Sequence, residues 1–205
     1  HLPYAFDLTP HLQSGDNLLQ IIFDVPPRWL GQFGFTSQMT DWKARFYFTW
    51  DWVSRIVQIG IWDTIVLEES DGAEILNLKV HTNADPTRKL GFLEVRGSAS
   101  GSPGAQVKLE LAGEEGLVKE TELPLEVFNN QGVDWQDIPV ALWYPNGMGD
   151  QKLYHLTCTL FGAQGQVEDR QVRQVGFKHI EWQPCEGAPA HADPWICVVN
   201  GQPVF

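Results

Sequence analysis

Basic residues are scarce in this 205-residue chain: 14 Lys and Arg stand against 26 Asp and Glu, a net charge of −12. A surface that acidic repels phosphate backbones and anionic lipid, so nucleic acid and membrane surfaces are excluded as first-choice partners. Long apolar runs are missing too. None approaches the ~18 residues of a membrane-spanning helix, and no basic start leads into an apolar stretch of the signal-peptide kind. The three cysteines, Cys158, Cys185 and Cys197, are too few and too odd in number for a disulfide framework, although a single bridge stays open and with it the redox compartment.

Chemistry-bearing motifs are equally sparse. There is no G-x-S-x-G, P-loop or dinucleotide fingerprint. His1, His11, His81, His155, His179 and His191 show no metal spacing with one another or with the cysteines. Cys185, His191 and Cys197 fall in one segment but lack the short C-x₂₋₄-C step of a zinc site. No metal and no cofactor are expected. The 26 acids offer many carboxylate pairs, and nothing in the sequence selects one; their default reading is a solvated surface.

What the chain has in surplus is aromatic side chains, nine Trp and eleven Phe. A flat indole face matches the C–H face of a pyranose, but Trp also fills cores, and composition alone favours the core. Sustained helical periodicity is absent and period-two alternation recurs, which predicts an all-β fold. Residues 17–24 form an apolar run after the turn signal Ser14-Gly15-Asp16. Over residues 42–52, Trp42, Ala44, Phe46, Phe48, Trp50 and Trp52 share one parity and Lys43, Arg45, Tyr47, Thr49 and Asp51 the other, as in a half-buried strand. Residues 56–69 form a third β-rich stretch, and Ser70-Asp71-Gly72 marks a domain boundary.

Beyond that boundary the predicted strands are shorter and more regular. Leu76, Leu78 and Val80 are assigned to the inner face of residues 74–82, Val107, Leu109 and Leu111 to that of 105–112, and Tyr154, Leu156, Cys158 and Leu160 to that of 153–161. Further strands are placed at 90–97, 116–129, 134–143 and 166–177, and Pro139 marks an edge or a bulge. Seven or so strands in about a hundred residues is the pattern of an immunoglobulin-like sandwich. Residues 181–205 are punctuated by Pro184, Gly187, Pro189, Pro194 and Pro203 yet rich in apolar side chains, more so than a free tail. Three strands before residue 70 do not close a sandwich of about eight. On both observations the chain is expected to be the middle of a longer protein.

Several segments resemble glycoside hydrolase family 2. Residues 3–10 (Pro-Tyr-Ala-Phe-Asp-Leu-Thr-Pro) with Gly15-Asp16-Asn17-Leu18-Leu19 resemble its N-terminal sugar-binding-type sandwich. Residues 45–52 (Arg-Phe-Tyr-Phe-Thr-Trp-Asp-Trp), with Gly60-Ile61-Trp62, are similar to its β-mannosidase branch. Residues 142–149 (Leu-Trp-Tyr-Pro-Asn-Gly-Met-Gly) resemble the L-W-W-P-N-G segment of its central sandwich, and residues 175–181 (Val-Gly-Phe-Lys-His-Ile-Glu) its closing strand. Residues 200–205 (Asn-Gly-Gln-Pro-Val-Phe) resemble the segment before its catalytic barrel. The matches run in family order from end to end of the chain.

The resemblance implies a partial jelly-roll, galactose-binding-like sandwich over residues 1–70, an immunoglobulin-like sandwich over 71–181, and a lead-in over 182–205 to an absent (β/α)₈ barrel. It implies a parent enzyme that hydrolyses β-glycosides with retention, through two barrel glutamates ~5 Å apart that this chain does not include. No catalytic residue is therefore assigned. The implied partner is a β-linked terminal sugar, bound together with that barrel. Asp51, with Trp50 beside it, takes the role of hydrogen-bonding the sugar hydroxyls, against the alternative of an ion pair with Arg45 or Arg55. Trp52 is read as core, and residues 142–149 as structural. Thr49 stands where the family commonly has Gly, and Val53-Ser54-Arg55 replaces its usual Gly-Pro-Arg. Mannoside is the first-choice substrate, with galactoside, glucosaminide and glucuronide left open. A stand-alone carbohydrate-binding or adhesion module and a pure spacer are the rival readings.

Overall fold

The computed structural model describes residues 4–25, 45–49, 52 and 54–204. The chain divides into two compact units, His1–Glu68 and Glu69–Phe205.

In the first unit the described residues form 3₁₀ turns at Thr9–His11 and Arg45–Phe48 and no strand. Pro10 starts the first turn with a residue whose φ already suits it, and Asn17 braces the next bend by accepting from Gln13 N and donating to the Gln13 and Gly15 carbonyls. The strands expected at 17–24 and 56–69 are irregular here, with Leu18, Ile22, Ile56 and Leu67 exposed. Alternation specifies which face a strand would bury, but a strand persists only when another pairs with it. No such pairing occurs among the described residues.

The second unit is β-rich, as expected. Its strands are β1 (Glu74–Asp85), β2 (Leu90–Ser100), β3 (Gln106–Gly113), β4 (Gly116–Pro124), β5 (Val133–Pro139), β6 (Tyr154–Phe161) and β7 (Val167–Val175), followed by β8 (Ile180–Gln183), β9 (Ile196–Val199) and β10 (Gln202–Val204). A helix, α1, spans Leu125–Gln131. All ladders are antiparallel, in the orders β1-β2-β5, β4-β3-β6-β7 and β10-β9-β8.

The first two sheets bury one core between them. Val107, Leu109 and Leu111 of β3 and Leu156, Cys158 and Leu160 of β6 are fully buried, on the predicted parity. Trp135 of β5 is buried as well, and its Nε1 donates to Thr121 Oγ1 of β4 at 3.0 Å. Tyr154, at the start of β6, stacks edge-on against Phe177 with ring centroids 5.2 Å apart. Its hydroxyl accepts from Ala141 N at 2.8 Å, in the manner of the tyrosine corner of such sandwiches.

Two local expectations are corrected. Leu76 is 61% exposed and Ile75 is buried instead. The β1–β2 register shifts between Ile75 and Asn77, so Leu76 is the extra residue of a bulge and the parity changes there. The stretch 116–129 is not strand throughout, because it turns into α1 at Leu125. That helix drives Phe128 into the core, and Asn129 accepts from Ala99 N and donates to Ala99 O. Strand β5 pairs with β2 only as far as Val95, so Asn129 satisfies backbone groups that the ladder leaves open. Pro139 ends β5, which lies at a sheet edge, and a register shift sits beside the positive φ of Asp137.

Candidate functional site

Trp50 and Asp51, the residues expected to meet a sugar, lie outside the described residues. Their neighbours are described. Phe48 is buried at the end of the 3₁₀ turn, and the guanidinium carbon of Arg55 stands 5.9 Å from the centre of its ring, a cation–π arrangement. Thr49 has φ +124°, a backbone conformation that favours glycine and that β-branched residues rarely adopt. Trp52 is 88% exposed, not in the core as expected. The 3₁₀ turn has about three residues per turn, so within Arg45–Phe48 alternate residues do not share a face as they would on a strand.

In the second unit several titratable groups pair with one another. Arg96 forks onto Asp134, Nη1 to Oδ1 at 2.8 Å and Nη2 to Oδ2 at 3.0 Å; this hydrogen-bonded pairing holds the Asp134 carboxyl below its ordinary range. Lys108 sits 2.9 Å from both Glu120 and Glu110, whose hydrogen bonds raise its ammonium above the ordinary lysine value. Lys152 pairs with Glu114 and Arg88 with Asp137. Burial pushes the Cys158 thiol up to about 12, with Asp169 adding to the rise, so it does not act as a nucleophile near neutral pH. All three cysteines are free. Among the described residues no group of three His, Cys, Asp or Glu can hold a metal ion. A surface hollow of about 440 Å³ is lined by Ser102, Pro103, Ala105, Leu125, Glu126 and Asn129 among others, and Glu126 is the one carboxylate in its lining.

Three of the segments singled out in the sequence meet in space. Leu142 bridges to Phe177, and Trp143 N donates to Phe177 O at 2.8 Å. Lys178 Nζ lies 4.7 Å from the centre of the Trp143 ring. Buried Asn200 joins both: Nδ2 donates to Trp143 O at 2.9 Å, Oδ1 accepts from His179 N at 2.8 Å, and its main-chain N donates to His179 O at 2.9 Å. His179 Nδ1 lies 3.2 Å from Asn83 Oδ1, which also accepts from Ala84 N. Asn200 has φ +52°, a conformation asparagine tolerates better than most side chains. This junction fixes the β8–β10 sheet to the sandwich. Within residues 142–149 Leu142 is buried, and Met148 N closes a turn onto Pro145 O. Reasoning from the sequence did not give Asn200 this part; its Asn-Gly step signals a turn and nothing about the strands it reaches.

The described residues of the second unit define an antiparallel two-sheet β-sandwich with an appended small sheet. The family model for glycosyl hydrolases family 2 matches residues 73–178, and the chain belongs to that family. It is 25% identical over 221 residues to Beta-mannosidase B of Aspergillus niger, an alignment covering 98% of this chain and 25% of that protein. It is 29% identical over 223 residues to Beta-mannosidase B of Aspergillus oryzae, covering 100% of this chain and 26% of that one. The chain thus spans about a quarter of the length of the curated relatives it matches. The crystal structure of a Beta-D-Mannosidase from Dictyoglomus thermophilum superposes with a TM-score of 0.66 at 22% identity, over 89% of this chain and 22% of the other.

Proposed function

We propose that this chain is the non-catalytic accessory region of a retaining family 2 glycoside hydrolase of β-mannosidase type, supporting a catalytic barrel and contributing to its sugar pocket. Residues 1–70 form part of a galactose-binding-like sandwich, 71–181 the immunoglobulin-like sandwich, and 182–205 the passage toward the barrel. The observation that carries the reading is the alignment with Beta-mannosidase B of A. niger: at 98% of the chain it takes in the Trp50-Asp51-Trp52 segment as well as the sandwich.

The chemistry divides accordingly. Retaining hydrolysis needs a nucleophilic carboxylate and a second carboxyl that serves as acid and then base. Both belong to the barrel. Asp51 contributes binding: an ionised carboxylate accepts two hydrogen bonds and fixes a pair of neighbouring hydroxyls. Trp50 offers its ring beside them.

The test has two parts. The 205-residue chain releases no nitrophenol from p-nitrophenyl β-mannoside; turnover in proportion to chain concentration would overturn the division of labour. In the active, longer enzyme, Asp51→Ala lowers kcat/KM by about 30- to 1000-fold, or ~2–4 kcal/mol, the scale of a lost charged hydrogen bond. Unchanged kinetics would leave the region a spacer. Calorimetric binding of manno-oligosaccharides by the 205-residue chain would make it a stand-alone binding module instead.

A further inference from the structure

The sequence contains two Asn-Gly steps, Asn146-Gly147 and Asn200-Gly201. An asparagine followed by glycine is chemically unstable in water, because no side chain on the next residue shields its main-chain nitrogen from the carboxamide. That nitrogen meets the carboxamide carbon when the asparagine side chain swings back over its own backbone. What decides the matter is how the side chain is held, and the two steps differ in this within one unit.

Asn200 is held. Its Nδ2 donates to Trp143 O and its Oδ1 accepts from His179 N, at 2.9 and 2.8 Å, and the residue is buried. Turning that carboxamide onto Gly201 breaks both bonds and strands their main-chain partners. Asn146 has no such tie. Among the described residues no hydrogen bond engages its carboxamide or the Gly147 N–H. The turn around them closes through Met148 N to Pro145 O at 3.0 Å, with Gly147 in the third position at φ +83°, and a Cβ built on Gly147 meets nothing within 4 Å. Tyr144 N donates to Asp150 O at 3.0 Å and Trp143 bridges to Gln151 at the base of the loop, so the tip changes shape without drawing on the strands.

We propose that Asn146 is a site of spontaneous self-modification, where the chain turns an amide into a carboxylate and reroutes its own backbone, and that the tie on Asn200 silences the second step. The Gly147 nitrogen gives its proton to hydroxide and bonds to Asn146 Cγ. The Cγ–Nδ2 bond breaks, and the amide leaves as ammonia after taking a proton from water. The cyclic imide then takes up one water. Opening at Cγ gives aspartate; opening at the main-chain carbonyl gives isoaspartate, with an extra methylene in the backbone. Nothing is oxidised or reduced, and water is the only co-reactant. Each event adds one negative charge to a chain already at −12. The inference is independent of the accessory-region reading, because it uses only Asn146, Gly147 and the turn that carries them.

Ageing the 205-residue chain in mildly alkaline buffer tests it, with peptide mapping of both steps in native buffer and in urea. In urea, where neither side chain is held, the two steps react at similar rates. In native buffer Asn146 stays within about threefold of its rate in urea, while Asn200 falls about 10- to 100-fold below its own, the protection of a side chain released only by local opening. The product at 146 is a mixture of isoaspartate and aspartate. Gly147→Ala slows its formation in urea as well as in the native chain, which separates the shielding of the nitrogen from the strain a side chain meets at this φ. Equal protection of the two steps in the native chain overturns the proposal. So does aspartate as the sole product, which means direct hydrolysis without the imide. Faster loss at Asn200 than at Asn146 reverses the assignment and overturns it as well.

Discussion

The ring of Phe128 occupies the space that a side chain at Gly97 would need. A Cβ built on Gly97 meets Phe128 Cζ at 2.7 Å and the Asn77 carbonyl oxygen at 2.6 Å. Helix α1 closes onto β2 only because that strand offers a bare backbone there. Gly97→Ala therefore destabilises the chain by about 1–3 kcal/mol, the cost of overpacking a filled core. Adding Phe128→Leu recovers part of the loss despite being destabilising alone. Urea denaturation of the four proteins in a double-mutant cycle measures the coupling, and strict additivity would refute the contact.

Asn200→Ala leaves His179 N–H and Trp143 C=O without their partner. The expected cost is about 1–3 kcal/mol, the price of stranded buried polar groups. Asn200→Asp keeps the acceptor and loses the donor, so it falls between. Hydrogen exchange places the loosening in β9 and β10 and leaves β3 and β6 protected. Uniform loosening of the whole sandwich would contradict the role of Asn200 as a local tie.

Acid sensitivity is expected at the Arg96–Asp134 pair. The folded state holds the Asp134 carboxyl lower than the unfolded chain does, so its contribution is present above the unfolded value, near pH 3.8, and is lost as pH falls through the folded one. Asp134→Asn flattens this part of the acid limb of Tm against pH. Both groups are exposed, so the difference shrinks in molar salt. An identical acid limb in wild type and variant at low salt would show that the pair contributes nothing.

Thiol titration separates the three cysteines. Cys185 is exposed, Cys197 half-buried and Cys158 buried with its thiol held near 12. An aromatic disulfide reagent at neutral pH reacts first with Cys185, then more slowly with Cys197, and reaches Cys158 only after unfolding. The sign for stability follows from the same shift. The contribution of Cys158 is complete below the unfolded thiol value of 9.0 and is lost as pH rises toward 12. Rapid modification of all three thiols in the native chain would contradict the packing of β6.

The parts of the fold legible in the sequence are those where period-two alternation runs unbroken. Val107, Leu109 and Leu111, and Tyr154, Leu156, Cys158 and Leu160, point inward as their parity says. Leu76 does not, because one extra residue in a bulge reverses the faces and leaves no mark in the pattern. Helix α1 escaped because seven residues hold too few turns to show a period; Leu125 and Phe128 are its only repeating apolar pair. Asn200 enters the sequence reading only within the segment 200–205, and its partner Trp143 lies 57 positions away, a distance local pattern does not cross. Asp51 and Trp50 rested on resemblance, not on spacing, and they fall outside the described residues.

Asp169 Oδ2 accepts from Ile75 N at 2.7 Å and Gln171 Nε2 donates to Ile75 O at 2.6 Å, so β7 grips the first turn inward of β1 from the opposite sheet. Tension entering the sandwich along the chain at Glu74 therefore does not unzip β1 from β2 one residue at a time. It loads both sheets together at the Ile75 peptide, and the sandwich resists pulling from that end as a block.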